Sequence, residues 1–163
     1  MNYTFNISNL EILNRLIFDF GFDFHEMMEN QKREEFQIKL ERRSFENVIR
    51  TKGLLGTRTR FTGRLSLLRI SGFDNLEITG VQERFKDNHF LSQIIENDKN
   101  EIELASNFGL VIKLEPQRDF KIELLDLGKS SYGKGSLMGK KGFTESEWKE
   151  YLEEKKYLPQ HWS

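Results

Sequence analysis

The hydrophobic and polar positions of the chain change period several times, and each change marks an element. Leu10, Leu13 and Ile17, with Ile12 and Leu16, keep helical spacing over a short stretch, and Ser8 followed by Glu11 has the form of a capping box. This predicts an opening helix of two to three turns. From Phe18 the period becomes two, because Phe18, Phe20, Phe22 and Phe24 alternate with Asp19, Gly21, Asp23 and His25, which puts four rings on one face of a strand. His25 to Glu35 is polar and rich in helix formers, and fits either a helical turn or an exposed loop. The period of two returns in Phe36, Ile38 and Leu40, then in Phe61, Leu65 and Leu67 against Arg60, Arg64 and Ser66. Ile70, Leu76 with Ile78, Ile102 with Leu104, Leu110 with Ile112 and Leu114, and Phe120 with Ile122 and Leu124 continue it. Within Phe90 to Glu96 the spacing of Leu91, Ile94 and Ile95 also fits a helix, but the strands around it favour strand.

Ser71-Gly72, Asp74-Asn75, Asp98-Lys99-Asn100, Asn107-Phe108-Gly109 and Pro116-Gln117 separate these runs and supply the backbone angles of chain reversals. Short strands joined by tight turns, with no amphipathic helices between them, predict an α+β fold that is mainly antiparallel β: a single sheet, a sandwich or a half-barrel. After Leu127 glycines and lysines interleave with no acid before Glu145, which reads as a flexible cationic linker. Thr144 with Glu147 then forms a capping box, Trp148 and Leu152 stand one turn apart, and Pro159 follows, so a helix is predicted from Glu145 to about Tyr157. The expected organisation is a β-rich core over 1–127, a Gly/Lys-rich linker over 128–143, and a helical arm over 144–163 that is not an independent domain.

Composition narrows the function classes. With 163 residues, 37% hydrophobic content and 14 Phe against 2 Pro, the chain predicts one folded core. A net charge of -1 gives no global field toward nucleic acid or an anionic membrane, and no apolar run approaches a membrane span. No membrane partner is therefore expected, and the absence of cysteine and of an apolar signal core points to the cytoplasm.

Candidate chemistry is sparse. Gly128 to Gly135 approaches a phosphate-binding loop, but Gly135 stands where a hydroxyl must hold Mg²⁺, so a Gly-Lys linker is the better reading. His25-Glu26-Met27-Met28-Glu29 resembles a zinc-protease helix with the second histidine missing, and His25, His89 and His161 are far apart in sequence. Asp19, Asp23 and His25 could cluster, although alternating polar residues opposite a Phe stripe are ordinary for a half-exposed strand. No catalytic residue, metal or cofactor is assigned, and the chain is not expected to be an enzyme. Arg58, Arg60 and Arg64 share one parity in a stretch without acids between Glu46 and Asp74, so one strand face could meet phosphates or an acidic protein, or simply be solvated. Trp148 and its aromatic neighbours suit docking on the core or capture of a partner.

Asp23-Phe24-His25-Glu26, the strand Phe36 to Leu40, and Leu68 to Ile78 with its Ser71-Gly72-Phe73-Asp74-Asn75 turn carry a resemblance, continued by Asn88 with Phe90, Ile102-Glu103-Leu104 and Ser106 to Leu110. In this order they resemble the immunity protein fifty family of bacterial polymorphic toxin systems, over about Phe20 to Asp126. Glu26 stands where the family's turn has Asp, and the Gly-Lys stretch and Trp148 helix lie outside the resemblance. The resemblance implies a noncatalytic β-rich protein that neutralises a cognate toxin by occluding it. His25, Glu26, Arg58, Arg60, Arg64 and Trp148 are the candidate partner-binding residues, with nucleic acid or an acidic protein as the alternative partner.

Overall fold

The computed structural model describes residues 2–17, 20–29, 35–80, 88–106, 108–130 and 143–154. It contains β1 (Asn2–Phe5), a 3-10 turn (Ile7–Asn9), α1 (Leu10–Ile17), β2 (Phe20–Asp23), α2 (Phe24–Glu29), β3 (Glu35–Gly53) and β4 (Gly56–Thr79). These are followed by β5 (Asn88–Glu96), β6 (Ile102–Ser106), β7 (Val111–Lys129), β8 (Phe143–Thr144) and α3 (Glu145–Glu154). The fold is α+β and mainly antiparallel β, with few short helices.

All eight strands belong to one sheet in the order β1-β7-β6-β5-β2-β3-β4-β8, and β4 also pairs with β7. That extra pairing joins the two ends of the run from β7 to β4, so six antiparallel strands close into a barrel. Among the described residues β2 meets β3 at the register pair of Gly21 with Glu41. The lumen is filled by residues that the registers align: Phe36 with Ile70 and Ile122, and Ile38 with Leu68 and Leu124, all fully or almost fully buried. β1 adds Phe5 beside Ile122, and α1 turns Leu10, Leu13, Leu16 and Ile17 inward on one face. Asn14 fixes α1 to β5: its Nδ2 donates to Ile94 O (2.7 Å) and its Oδ1 accepts from Ile94 N–H (2.6 Å).

Several sequence expectations change. The helix cap lies at Asn6, which makes a reciprocal capping box with Asn9, two residues before the Ser8 cap expected from the sequence. Phe24 opens α2 instead of extending the Phe strand, because the Asp23 carboxylate accepts from Glu26 N–H (2.9 Å) and caps the helix; Phe18 and Asp19 lie outside the described residues. Phe90 to Glu96 is strand, and the Asp98 to Asn100 reversal forms around Asn97, whose Oδ1 accepts from Lys99 N–H and Glu101 N–H.

Ser71-Gly72, Asp74-Asn75 and Pro116-Gln117 reverse nothing. They lie within β4 and β7 at register shifts, so their positive-φ residues, Gly72 at +72° and Asn75 at +47°, form bulges that bend two long strands. The bend brings the strands so close at Gly72 that a Cβ there would stand 2.6 Å from the Asp119 carbonyl. The lumen face of β4 is opposite to the one expected from Leu65 and Leu67, whereas Ile70 of the same series lies on it. Ser66, Leu68 and Ile70 point inward, while Leu65 and Leu67 are only half-buried on the outer face.

β7 runs on to Lys129, two residues into the stretch read as linker, and 131–142 lie outside the described residues. The C-terminal arm is docked: β8 pairs with β4 at Arg58 and Thr59, α3 packs on β4 and β8, and Trp148 is buried. Residues 155–163 lie outside the described residues.

Candidate functional site

The inward face of β3 continues past Phe36, Ile38 and Leu40 to Arg42 and Ser44, both fully buried or almost so. Opposite them on β4 stand Arg64 and Thr62, with Ser66 one rung deeper, opposite Leu40 on β3 and Asp126 on β7. One end of the lumen is therefore polar. Arg42 Nε donates to Ser66 Oγ (3.0 Å), Arg64 Nη1 lies 3.7 Å from Asp126 Oδ2, and the other Asp126 oxygen accepts from Gly128 N–H (2.9 Å). Two guanidinium groups facing each other across a ladder repel. Asp126 and Ser66 offset that repulsion where water is scarce.

A second buried polar group is His89. It pairs with Phe22 across the β2–β5 ladder and stacks on that ring at 5.6 Å, with Phe24 at 5.8 Å and Phe108 edge-on at 6.1 Å. Its Nδ1 is 3.1 Å from Ser106 Oγ, which also accepts from Phe108 N–H (3.4 Å). A histidine beside a serine can in principle activate it, but this serine also ties down the turn between β6 and β7. Arg42 and Ser66 were not singled out from the sequence, and His89, read there only as one of three dispersed histidines, is buried. Extending the parity of Phe36, Ile38 and Leu40 by one step would have reached Arg42.

The residues singled out from the sequence are dispersed. His25 is exposed on α2 with its ring against Phe24, and Glu26 is ion-paired with Lys39 of β3 (2.8 Å). Asp23 serves as the α2 cap, so it forms no cluster with His25; His161 is outside the described residues. Arg58, Arg60 and Arg64 do share the parity read from the sequence, but their face leaves solvent between Arg60 and Ser66 and becomes the lumen, which draws Arg64 to Asp126. Arg60 stays exposed. Arg58 lies against α3, where its charge helps hold the Glu147 carboxyl below its ordinary value, after the larger effects of the Thr144 backbone and side-chain hydrogen bonds. Trp148 is buried on α3. Among the described residues no group of three or more His, Asp or Glu is arranged to hold a metal ion, and no helix is long and apolar enough to cross a membrane.

The two ends of β4 carry opposite charge on exposed surfaces. Its N-terminal end joins β3 in a hairpin with Arg50, Lys52, Arg58 and Arg60 exposed and with Leu54 and Leu55 at the tip. At the other end Asp74 stands directly opposite Glu115 of β7, next to the 40% exposed Leu76, while exposed Glu77 faces Lys113 and exposed Asp119, against Gly72, follows exposed Arg118. Glu115 accepts from the Asn75 side chain at 2.7 Å. Like charges directly opposite on a ladder are locally destabilising. Compared with protein-family models, with curated proteins and with solved structures, the chain matches none.

Proposed function

We propose that the chain is a noncatalytic, cytoplasmic binding protein of the toxin-neutralising immunity type, which occludes a cognate toxin domain. The observation that carries this reading is the opposed Asp74–Glu115 pair beside exposed Leu76. The pair sets two exposed carboxylates side by side, where a cationic partner can meet both while Leu76 gains an apolar contact. Occlusion needs an interface of roughly 800 Å² on each side, with charge guiding the encounter. The resemblance over Phe20 to Asp126 supports the same reading.

The test is protection. A partner that co-purifies with the tagged chain from its native cells at moderate salt is expressed with and without it, beside the double variant Asp74→Lys, Glu115→Lys. The wild-type chain should suppress the partner's toxicity, and the variant should bind at least about tenfold more weakly. Lack of protection, or a variant that binds like wild type, refutes the reading. The alternative, a nucleic-acid or acidic-protein module on Arg58, Arg60 and Arg64, is less supported, because Arg64 is held by Asp126 and Arg58 lies beside Glu147.

A further inference from the structure

The hairpin that joins β3 and β4 stands apart from the barrel. Its ladder runs from Val48 opposite Phe61 to Gly53 opposite Gly56, six register pairs spanning roughly 17 Å at strand spacing. Among the described residues, β8 braces it as far as Arg58. Leu54 and Leu55 form the tip and are 107% and 98% exposed, and Ile49 behind them is 39% exposed. The turn does not require leucine. Gly56, at φ +104°, supplies the left-handed angle that closes it, and the two tip positions of such a turn ordinarily favour small or polar residues. Two fully exposed leucines at the apex of a projecting hairpin therefore point to a partner that receives them.

The charges say what kind. In the ladder Arg50 and Lys52 project from one face of the ribbon, and Arg58 and Arg60 from the other. No acid occurs between Glu46 and Asp74 in the sequence, and α3 brings Glu147 near Arg58 at the base of the hairpin. A partner lying along the ribbon would meet one face only. A partner entered tip-first meets both, and finds apolar side chains at the apex with cations one to four rungs behind. We propose that this hairpin is a peripheral anchor for an anionic lipid surface. Leu54 and Leu55 enter below the headgroups, and Lys52, Arg50 and Arg60 lie at headgroup level, where their long stems can reach the negative charge. Nucleic acid would match the cations but offer the leucines no apolar medium. The expectation of no membrane partner rested on net charge and on the lack of a span, and a local anchor depends on neither.

The full chain is tested by co-sedimentation with phosphatidylcholine vesicles, with and without about one-third phosphatidylserine. The double variant Leu54→Ser, Leu55→Ser touches no packed residue and should unfold like wild type. Binding to the anionic vesicles alone, falling steeply as salt is raised and by on the order of tenfold or more in the variant, is the expected result. Absence of binding, equal binding to neutral vesicles, or unchanged binding by the variant overturns the proposal. A tip-dependent dimer in sedimentation, or duplex DNA binding that survives the leucine variant, reassigns the hairpin and also overturns it.

Discussion

Replacing Gly72 by Ala tests the central feature of the fold, the close crossing of two bent strands. An L-residue held at φ +72° costs about 1–2 kcal/mol. The new Cβ would stand 2.6 Å from both C and O of Asp119 and 2.7 Å from Phe120 N, all backbone atoms that no rotamer change can move. Shifting the packed strands to make room adds about 1–3 kcal/mol, so the expected loss is about 2–5 kcal/mol. That is a large part of the roughly 5–15 kcal/mol typical of a domain. Gly109→Ala is the matched control, since Gly109 has a similar φ of +78° with nothing within 4 Å of its Cβ position. It should lose only the strain of about 1–2 kcal/mol. Urea unfolding followed by far-UV circular dichroism measures both, and comparable m-values would show that the unfolded state is unchanged. Equal losses in the two variants would mean that β7 does not approach Gly72, and would refute the bulged β4–β7 crossing.

Two further outcomes follow from named contacts. Asn14→Ala leaves the N–H and C=O of Ile94 without their side-chain partner and should cost about 1–3 kcal/mol in the same urea assay; a loss within error of zero would mean that α1 is held by apolar packing alone. Glu147 has its carboxyl held below its ordinary value of 4.5 by the Thr144 backbone and side-chain bonds and by Arg58, so the folded form binds fewer protons than the unfolded form. Its contribution to α3 docking is complete above that ordinary value and is lost as pH falls through the lowered one. Trp148 emission in a Trp162→Phe background should report this acid-side undocking, and Glu147→Gln should weaken docking at neutral pH and flatten its pH dependence.

The strands were legible where one parity alone is apolar. Phe36, Ile38 and Leu40 alternate with Gln37, Lys39 and Glu41, and β3 buries the expected set. In β4 both parities are apolar, through Leu65 and Leu67 on one side and Leu68 and Ile70 on the other, so periodicity could not choose the inner face. The choice is made by β3, which sets Phe36 against Ile70 and Ile38 against Leu68. The turns failed for a related reason. Gly72 and Asn75 have the composition of a reversal, and only a partner strand that continues beside them makes the positive φ a bulge.

The candidate sites were hidden by the same dependence on partners. The backbone face that carries Arg58 and Arg60 in solvent carries Arg64 at the barrel mouth and Ser66, Leu68 and Ile70 in the lumen. Three arginines of one parity therefore occupy two environments, which no count along a single strand reveals. Leu54 and Leu55 show the converse: in the sequence they are two apolar residues between glycines, and only the register of Gly53 with Gly56 sets them at the apex of a hairpin. β4 thus joins a cationic, apolar-tipped end to an acidic end through a sealed middle. The two ends can be varied separately: charge reversal at Asp74 and Glu115 should leave vesicle binding intact, and serine at Leu54 and Leu55 should leave binding at the acidic end intact. Loss of both functions from either pair of substitutions would mean that the ends act as one surface, contrary to the separation the barrel imposes.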